Sequence, residues 1–255
     1  ITSARDTEEN VDIYGISVTP ATLSGAIGTI TPANITVSTS DVSRPYNGTT
    51  SAPGVPVVTR GSLFAPDKLT GGSYTFQSNG NVGSGKTVTV SGLTVNDGNN
   101  GANYLLTLAD NNSSSITPAP LVLSSSAVTK VYDTTTSAAG TLVVNSGTLF
   151  EGDAVAGGVF AFLDKNAGTG KTVTVGQADV TDGNGGQNYA VSYVNNTIST
   201  ITKASIASVS GITVADKVYD GNTDAVLNTS GAAFAGRLGS DVLAATGANA
   251  KFGDR

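Results

Sequence analysis

The sequence repeats itself at an interval the size of a small domain, and this period constrains the fold more than any other feature. ITPANITVSTSDVSRPYNGTTS, from Ile30, matches ITPAPLVLSSSAVTKVYDTTTS, from Ile116, and ITKASIASVSGITVADKVYDGNTD, from Ile201. Later in each unit, GSGKTVTVSGLTVNDGNNGANYLLTL matches GTGKTVTVGQADVTDGNGGQNYAVSY. Tyr46, Tyr132 and Tyr219 stand 86 and 87 residues apart, which suits one small domain rather than a solenoid turn. Residues 30–115 and 116–200 therefore read as complete repeats, and residues 201–255 as the N-terminal part of a following one. IYGISVTPATLSGAIGTITPA, from Ile13, resembles the tail NYAVSYVNNTISTITKA, so residues 1–29 read as the C-terminal part of a preceding repeat.

The patterned stretches are rich in Thr and Val with alternating polarity, and none has a helical period. The expected fold is all-β: tandem small antiparallel β-sandwich modules, Ig-like, arranged end to end. A β-grasp-like module with a short helix is the alternative. Pro32 and Pro118 disfavour helix at the preceding Thr, so TITPA should join modules in an extended form without a long linker.

One stretch argues for an enzyme. GNVGSGKT, Gly80 to Thr87, fits the phosphate-loop pattern G-x-x-x-x-G-K-[ST] at every fixed position. Such a loop joins a buried strand to a helix whose N-terminus faces the phosphates. Here Lys86 is followed by TVTVSGLTV, which alternates like a strand. The second repeat keeps Gly170, Lys171 and Thr172 but has Lys165 in place of the first glycine. The segment therefore reads as a tight turn entering a strand, and no nucleotide is expected.

Composition removes most other chemistry. The chain has no Cys and no His, so disulfides, thiolate nucleophiles, imidazole bases and the usual zinc sites are out of reach. Nineteen acids against 13 bases give a net charge of −6, with no basic cluster to hold nucleic acid. No apolar run is long enough for a membrane span. Glu8, Glu9 and Glu151 are the only glutamates, and Asp67, Asp153 and Asp241 recur in register. That recurrence suggests turn chemistry rather than a unique acid and base. No catalytic, cofactor or metal site is assigned.

Within a unit, the [RK]-x-Y-[ND]-x-x-T segment reads as a structural corner. Tyr46, Tyr132 or Tyr219 would anchor a strand end in the core and bond backbone through its hydroxyl. Asn47, Asp133 or Asp220 would cap the turn, and Gly48 and Gly221 suit a positive φ that Thr134 shows is not reserved for Gly. Tyr74 and Phe76, aligned with Phe160 and Phe162, should face the core at spacing two. The loops around Asp97 and Asp182, with Asp179 nearby, offer too few carboxylates for a dedicated calcium site. Lys86 and Lys171 with Asn103 and Asn188 are the candidates for a self-formed isopeptide bond. Tyr193, which aligns with Leu108, is the clearest asymmetry between repeats.

Together, the Tyr-Asp-Gly corner, the GTGKTVTV strand, the Asn-Tyr near the end and the Ile-Thr-Pro-Ala junction resemble the YDG-type repeat of large bacterial surface adhesins, the filamentous-haemagglutinin-like, two-partner-secreted exoproteins. The resemblance covers essentially the whole chain. Departures are local: Asn47 replaces Asp, Thr134 replaces Gly, and residues 1–12 show no clear similarity. It implies a secreted, extracellular or cell-surface protein of a Gram-negative bacterium, active in adhesion, aggregation or biofilm matrix. The segment itself would be a non-enzymatic stalk, spacer or fibre element. Its partners would be neighbouring repeats of the same chain, with polysaccharide or other copies of the protein beyond them. The alternative is a carbohydrate- or receptor-binding module of such an adhesin.

Overall fold

A computed structural model describes residues 29–246 and 250–253. The segment read as the end of a preceding repeat thus lies almost wholly outside the described residues. Among the described residues there is no helix, so the chain is all-β and the helix of the β-grasp alternative is absent.

The first repeat contributes β1 (Ala33–Thr39), β2 (Ser43–Pro45), β3 (Pro56–Arg60), β4 (Lys68–Phe76), β5 (Gly83–Asn96), β6 (Tyr104–Leu108) and β7 (Asn111–Thr117). The second contributes the same seven in the same order: β8 (Ala119–Ser125), β9 (Thr129–Val131), β10 (Leu142–Gly147), β11 (Ala154–Phe162), β12 (Gly168–Thr181), β13 (Tyr189–Tyr193) and β14 (Asn196–Thr202). Residues from 201 onward carry shorter strands: β15 (Ser208–Ser210), β16 (Thr213–Val214), β17 (Asp224–Ala225), β18 (Leu227–Asn228), β19 (Ala233–Ala235) and β20 (Ala250–Lys251).

Each complete repeat forms two sheets, ordered β3-β1-β6 and β2-β7-β5-β4 in the first, and β10-β8-β13 and β11-β12-β14-β9 in the second. The expectation of purely antiparallel sheets is corrected here. β1 pairs with β6, β2 with β7, β8 with β13 and β9 with β14, all in parallel. Alternation of side chains reports which face of a strand is buried but not the direction of its neighbour.

Two compact units are distinguishable, and the boundary between them falls inside the first repeat. One gathers residues 29–38, Pro56–Ser73 and Ser91–Ala109. Its sheet centres on β1, and Ile35, Val37, Leu93 and Val95 are buried within it. The other holds Thr39–Val55, Tyr74–Val90 and everything from Asp110 onward.

The core of this second unit explains the placement. Phe76, Val88 and Ile116 come from the second sheet of the first repeat, and Val42, Tyr46 and Ala52 from the segments flanking its β2. They join Ala119, Leu121, Leu123 and Tyr189, from the first sheet of the second repeat, in one hydrophobic cluster. The packing unit is therefore out of phase with the sequence repeat, and the junction between repeats is itself a core. Fully burying each large apolar side chain contributes about 1.5–3 kcal/mol, so the covalent junction is also an energetic one. A second cluster of Val128, Phe162, Val173 and Ile201 covers the second sheet of the second repeat, with Tyr132, Ala138 and Phe160 packed against it.

One glycine position recurs for a steric reason. Gly61 and Gly147 have φ of +80° and +89°, and a Cβ on either would collide with the carbonyl oxygen of Asn34 or Pro120 on the neighbouring central strand. Only Gly allows that approach.

Candidate functional site: the tyrosine–aspartate junction

The corner forms where β2 or β9 ends. The Tyr46 N–H donates to the Thr117 carbonyl and the Tyr132 N–H to that of Thr202, both at 2.8 Å. The adjacent Asx residue caps the turn, as its side chain suggests. Asn47 Oδ1 accepts from the Thr49 N–H at 3.1 Å, and Asp133 Oδ1 from the Thr135 N–H at 2.9 Å. Lys130 Nζ also donates to Asp133 at 2.8 Å and, with the Thr135 bonds, holds that carboxyl down at about 2.

In the first and second repeats the basic residue two positions before the tyrosine is tied inward, whereas Tyr219 is exposed rather than anchored in a core and Lys217 pairs with Asp220. Arg44 is buried and donates to the carbonyls of Ser51, Pro45 and Thr49, with its guanidinium 5.1 Å from the centroid of the Phe76 ring. Lys130 stands 5.5 Å over Phe162 in the same way. These cations brace the corner, and Phe76 and Phe162 face the core as their spacing suggests.

The tyrosine hydroxyl reaches a partner that sequence reasoning missed. It was expected to bond backbone, and Asp67, Asp153 and Asp241 were expected to serve their own turns. Instead, Tyr46 Oη donates to Asp153 Oδ2 in the next repeat at 3.0 Å, and Tyr132 Oη donates to Asp241 Oδ1 at 3.0 Å. Asp153 Oδ2 also accepts from Tyr189 Oη at 2.6 Å, and that hydroxyl accepts from the Phe150 N–H at 2.9 Å. One carboxylate thus receives two phenols, one from each repeat. The first repeat shows the intra-repeat half: Tyr104 Oη donates to Asp67 Oδ2 at 2.6 Å and accepts from the Phe64 N–H at 3.0 Å.

Aromatic packing seals the site. Tyr46 meets Phe150 and Tyr189 edge to face, at 5.5 and 5.4 Å between centroids, while Phe150 and Tyr189 stack at 6.3 Å. Tyr46 and Tyr189 are 6% and 5% exposed, which leaves no open groove for a ligand over these rings. Burial first, and then the bond to Asp153, pushes both phenols above their usual range. Phenols held neutral suit a hydrogen-bonded tie better than proton transfer at neutral pH.

A second polar tie crosses the same junction. Asn188, fully buried, accepts the Val82 N–H at 2.9 Å through Oδ1 and donates to Asn81 Oδ1 at 3.1 Å through Nδ2. Its loop is organised by Asp182, whose carboxylate accepts the N–H groups of Asn184, Gly186 and Asn188, each at 2.8 Å. Burial pushes Asp182 up, but those three bonds outweigh it and leave the carboxyl below its ordinary value. Asp97 is spent in the same way on Asn99, Gly101 and Asn103. The Asp–Asn–Gly loops are thus self-capped, and among the described residues no three His, Cys, Asp or Glu side chains gather as a metal site.

The remaining sequence candidates are placed as follows. Lys86 lies inside β5, not at a helix start, and donates to Asn79 at 3.1 Å. Lys171 pairs with Asp164 at the equivalent position. Each lysine thus bonds a residue seven positions earlier in its own hairpin, where sequence offered Asn103 and Asn188 as isopeptide candidates. Tyr193 accepts the Ala178 N–H at 3.0 Å through its hydroxyl.

At the junction of the second repeat with the third lies a cavity of about 420 Å³, lined by Tyr132, Leu238 and Asp241 among others. Leu238 stands where Phe150 does at the first junction.

The signal that could have revealed the tie was present in the sequence. Tyr, Asp and Tyr recur together in register, and an acid that recurs beside a recurring tyrosine needs a donor. No curated protein and no solved structure is significantly similar to the chain. The YDG domain matches residues 31–113, 117–197 and 202–255. With its repeated Tyr-Asp-Gly corner and most of its length matched, the chain belongs to the YDG domain family.

Proposed function

We propose that the chain is a structural repeat segment, a stalk, spacer or fibre element, of a secreted bacterial surface adhesin exported from a Gram-negative cell, with no catalytic role of its own. The observation that carries this reading is where the chain enters and leaves the second repeat. Residues 119–131 run parallel beside residues 189–202, with Tyr189 opposite Ala119 and Thr202 opposite Val131. The chain therefore arrives at one end of this pair and departs at the other, and each added repeat advances it by about 40 Å, at roughly 3.3 Å per extended residue. A shared core and a Tyr–Asp tie at the junction fix one repeat to the next without a flexible linker, which suits an array that gains reach by adding copies. The neighbouring repeats are the first partners, and polysaccharide or other copies of the protein would be engaged elsewhere on the parent.

The test compares small-angle scattering of this chain with that of one carrying an additional copy of residues 116–200. The reading expects the maximum dimension to grow by about 40 Å at constant cross-section. Growth in cross-section without growth in length would remove the spacer role and favour a compact binding module.

A further inference from the structure

In both complete repeats the first and last segments lie side by side in parallel. In the second repeat the contact runs the whole length of both. β8 pairs with β13 from Ala119–Tyr189 to Leu123–Tyr193, and β9 with β14 from Thr129–Thr200 to Val131–Thr202. Side chains and backbone bridge the gap between these ladders. The Val194 N–H donates to Leu123 O at 2.9 Å, Asn196 Nδ2 to Ser125 O at 3.0 Å, and the Val128 N–H to Ser199 Oγ at 3.0 Å. The Tyr132 N–H closes the series on Thr202 O. Leu121, Leu123, Val128, Ser199 and Ile201, all buried, keep water from these bonds.

The first repeat has the same series within each of its two parts. Ala33–Val37 pairs with Tyr104–Leu108 in one unit. In the other, Asn111 Nδ2 donates to Thr39 O at 3.1 Å, the Val42 N–H to Ser114 Oγ at 3.0 Å, and Ser43–Pro45 pairs with Ser115–Thr117.

We propose that each repeat is a shear clamp that resists tension applied along the chain. Tension draws the incoming segment backward and the outgoing segment forward. Because the two are parallel neighbours, that motion slides one along the other and strains every bond between them at once. Were they antiparallel and joined at one end, the same tension would open the bonds one after another. The number of bonds broken together sets the barrier, and forced unfolding is governed by the rate over that barrier. The inference concerns the repeat itself and stands apart from which cell or surface the array serves.

The experiment is single-molecule pulling on the 255-residue chain. It has no native cysteine, so two introduced cysteines define the direction of force. Pro118→Cys with Lys203→Cys loads the second repeat in shear. Val131→Cys with Lys203→Cys takes hold of the same parallel pair at one end and peels it. Pro118, Val131 and Lys203 are all exposed. At equal loading rate, the shear pair should unfold at a higher force than the peel pair. Equal forces, or a lower force in shear, would overturn the clamp. Thermal midpoints matching the parent show that both variants fold. If Lys203→Cys lowers the midpoint, Thr202→Cys replaces it in both pairs and the same comparison decides.

Discussion

Replacing Asp153 with Ala tests the junction at its most connected atom. The substitution removes the acceptor of two phenols, Tyr46 at 3.0 Å and Tyr189 at 2.6 Å. Hydrogen bonds to a charged group contribute about 1.5–3 kcal/mol each. Asp153 is half-buried and solvent reaches part of it, so the sum belongs at the low end, about 3 kcal/mol. Asp67→Ala removes one phenol bond rather than two and should cost about half as much. Urea denaturation followed by circular dichroism, fitted with nearest-neighbour coupling between repeats, reads both. The decisive measurement is the double-mutant cycle. Tyr46→Phe should cost about 1–2 kcal/mol in the parent and close to nothing once Asp153 is Ala. Additive losses would refute the cross-repeat tie.

Three further expectations follow from individual residues. Tyr74 Oη is buried without a partner, and the second repeat already has Phe160 at that position. Tyr74→Phe should therefore stabilise by about 1 kcal/mol, and an unchanged or lowered thermal midpoint would contradict this. Thr134 adopts φ +68° where Gly48 and Gly221 adopt +74° and +83°. Thr134→Gly should relieve about 1 kcal/mol of left-handed strain net of glycine entropy, read as a raised midpoint. Asp133 is lowered from 3.8 to about 2 in the fold. Its contribution is complete above 3.8 and is lost as pH falls through about 2, so Asp133→Asn should flatten the acid limb of the stability curve across that window.

What the sequence revealed, and what it hid, divides along locality. The β5 strand was legible because Val88 and Val90 are buried while their neighbours are less so, the period of two that TVTV announces. The phosphate-loop resemblance dissolved for the same local reason. Asn47 and Asp133 cap turns two residues away, within reach of pattern reasoning. The parallel neighbours were not legible, because β8 and β13 lie 70 residues apart and alternation is blind to strand direction. Tyr46 and Asp153 lie 107 residues apart in different repeats, so a corner read one unit at a time finds no partner for the hydroxyl. Asn188 looked like a loop residue, yet it is fully buried and bonded to Asn81 and Val82 of the preceding repeat.

The central claim is that successive repeats share a core and a Tyr–Asp–Tyr tie across their junction. Nuclear Overhauser contacts among the tyrosine and phenylalanine rings test it most directly. The account predicts contacts from the Tyr46 ring to those of Phe150 and Tyr189, whose centroids lie 5.5 and 5.4 Å away, together with slowly exchanging hydroxyl protons on Tyr46 and Tyr189. Absence of those contacts, with the first and second repeats tumbling independently, would contradict it.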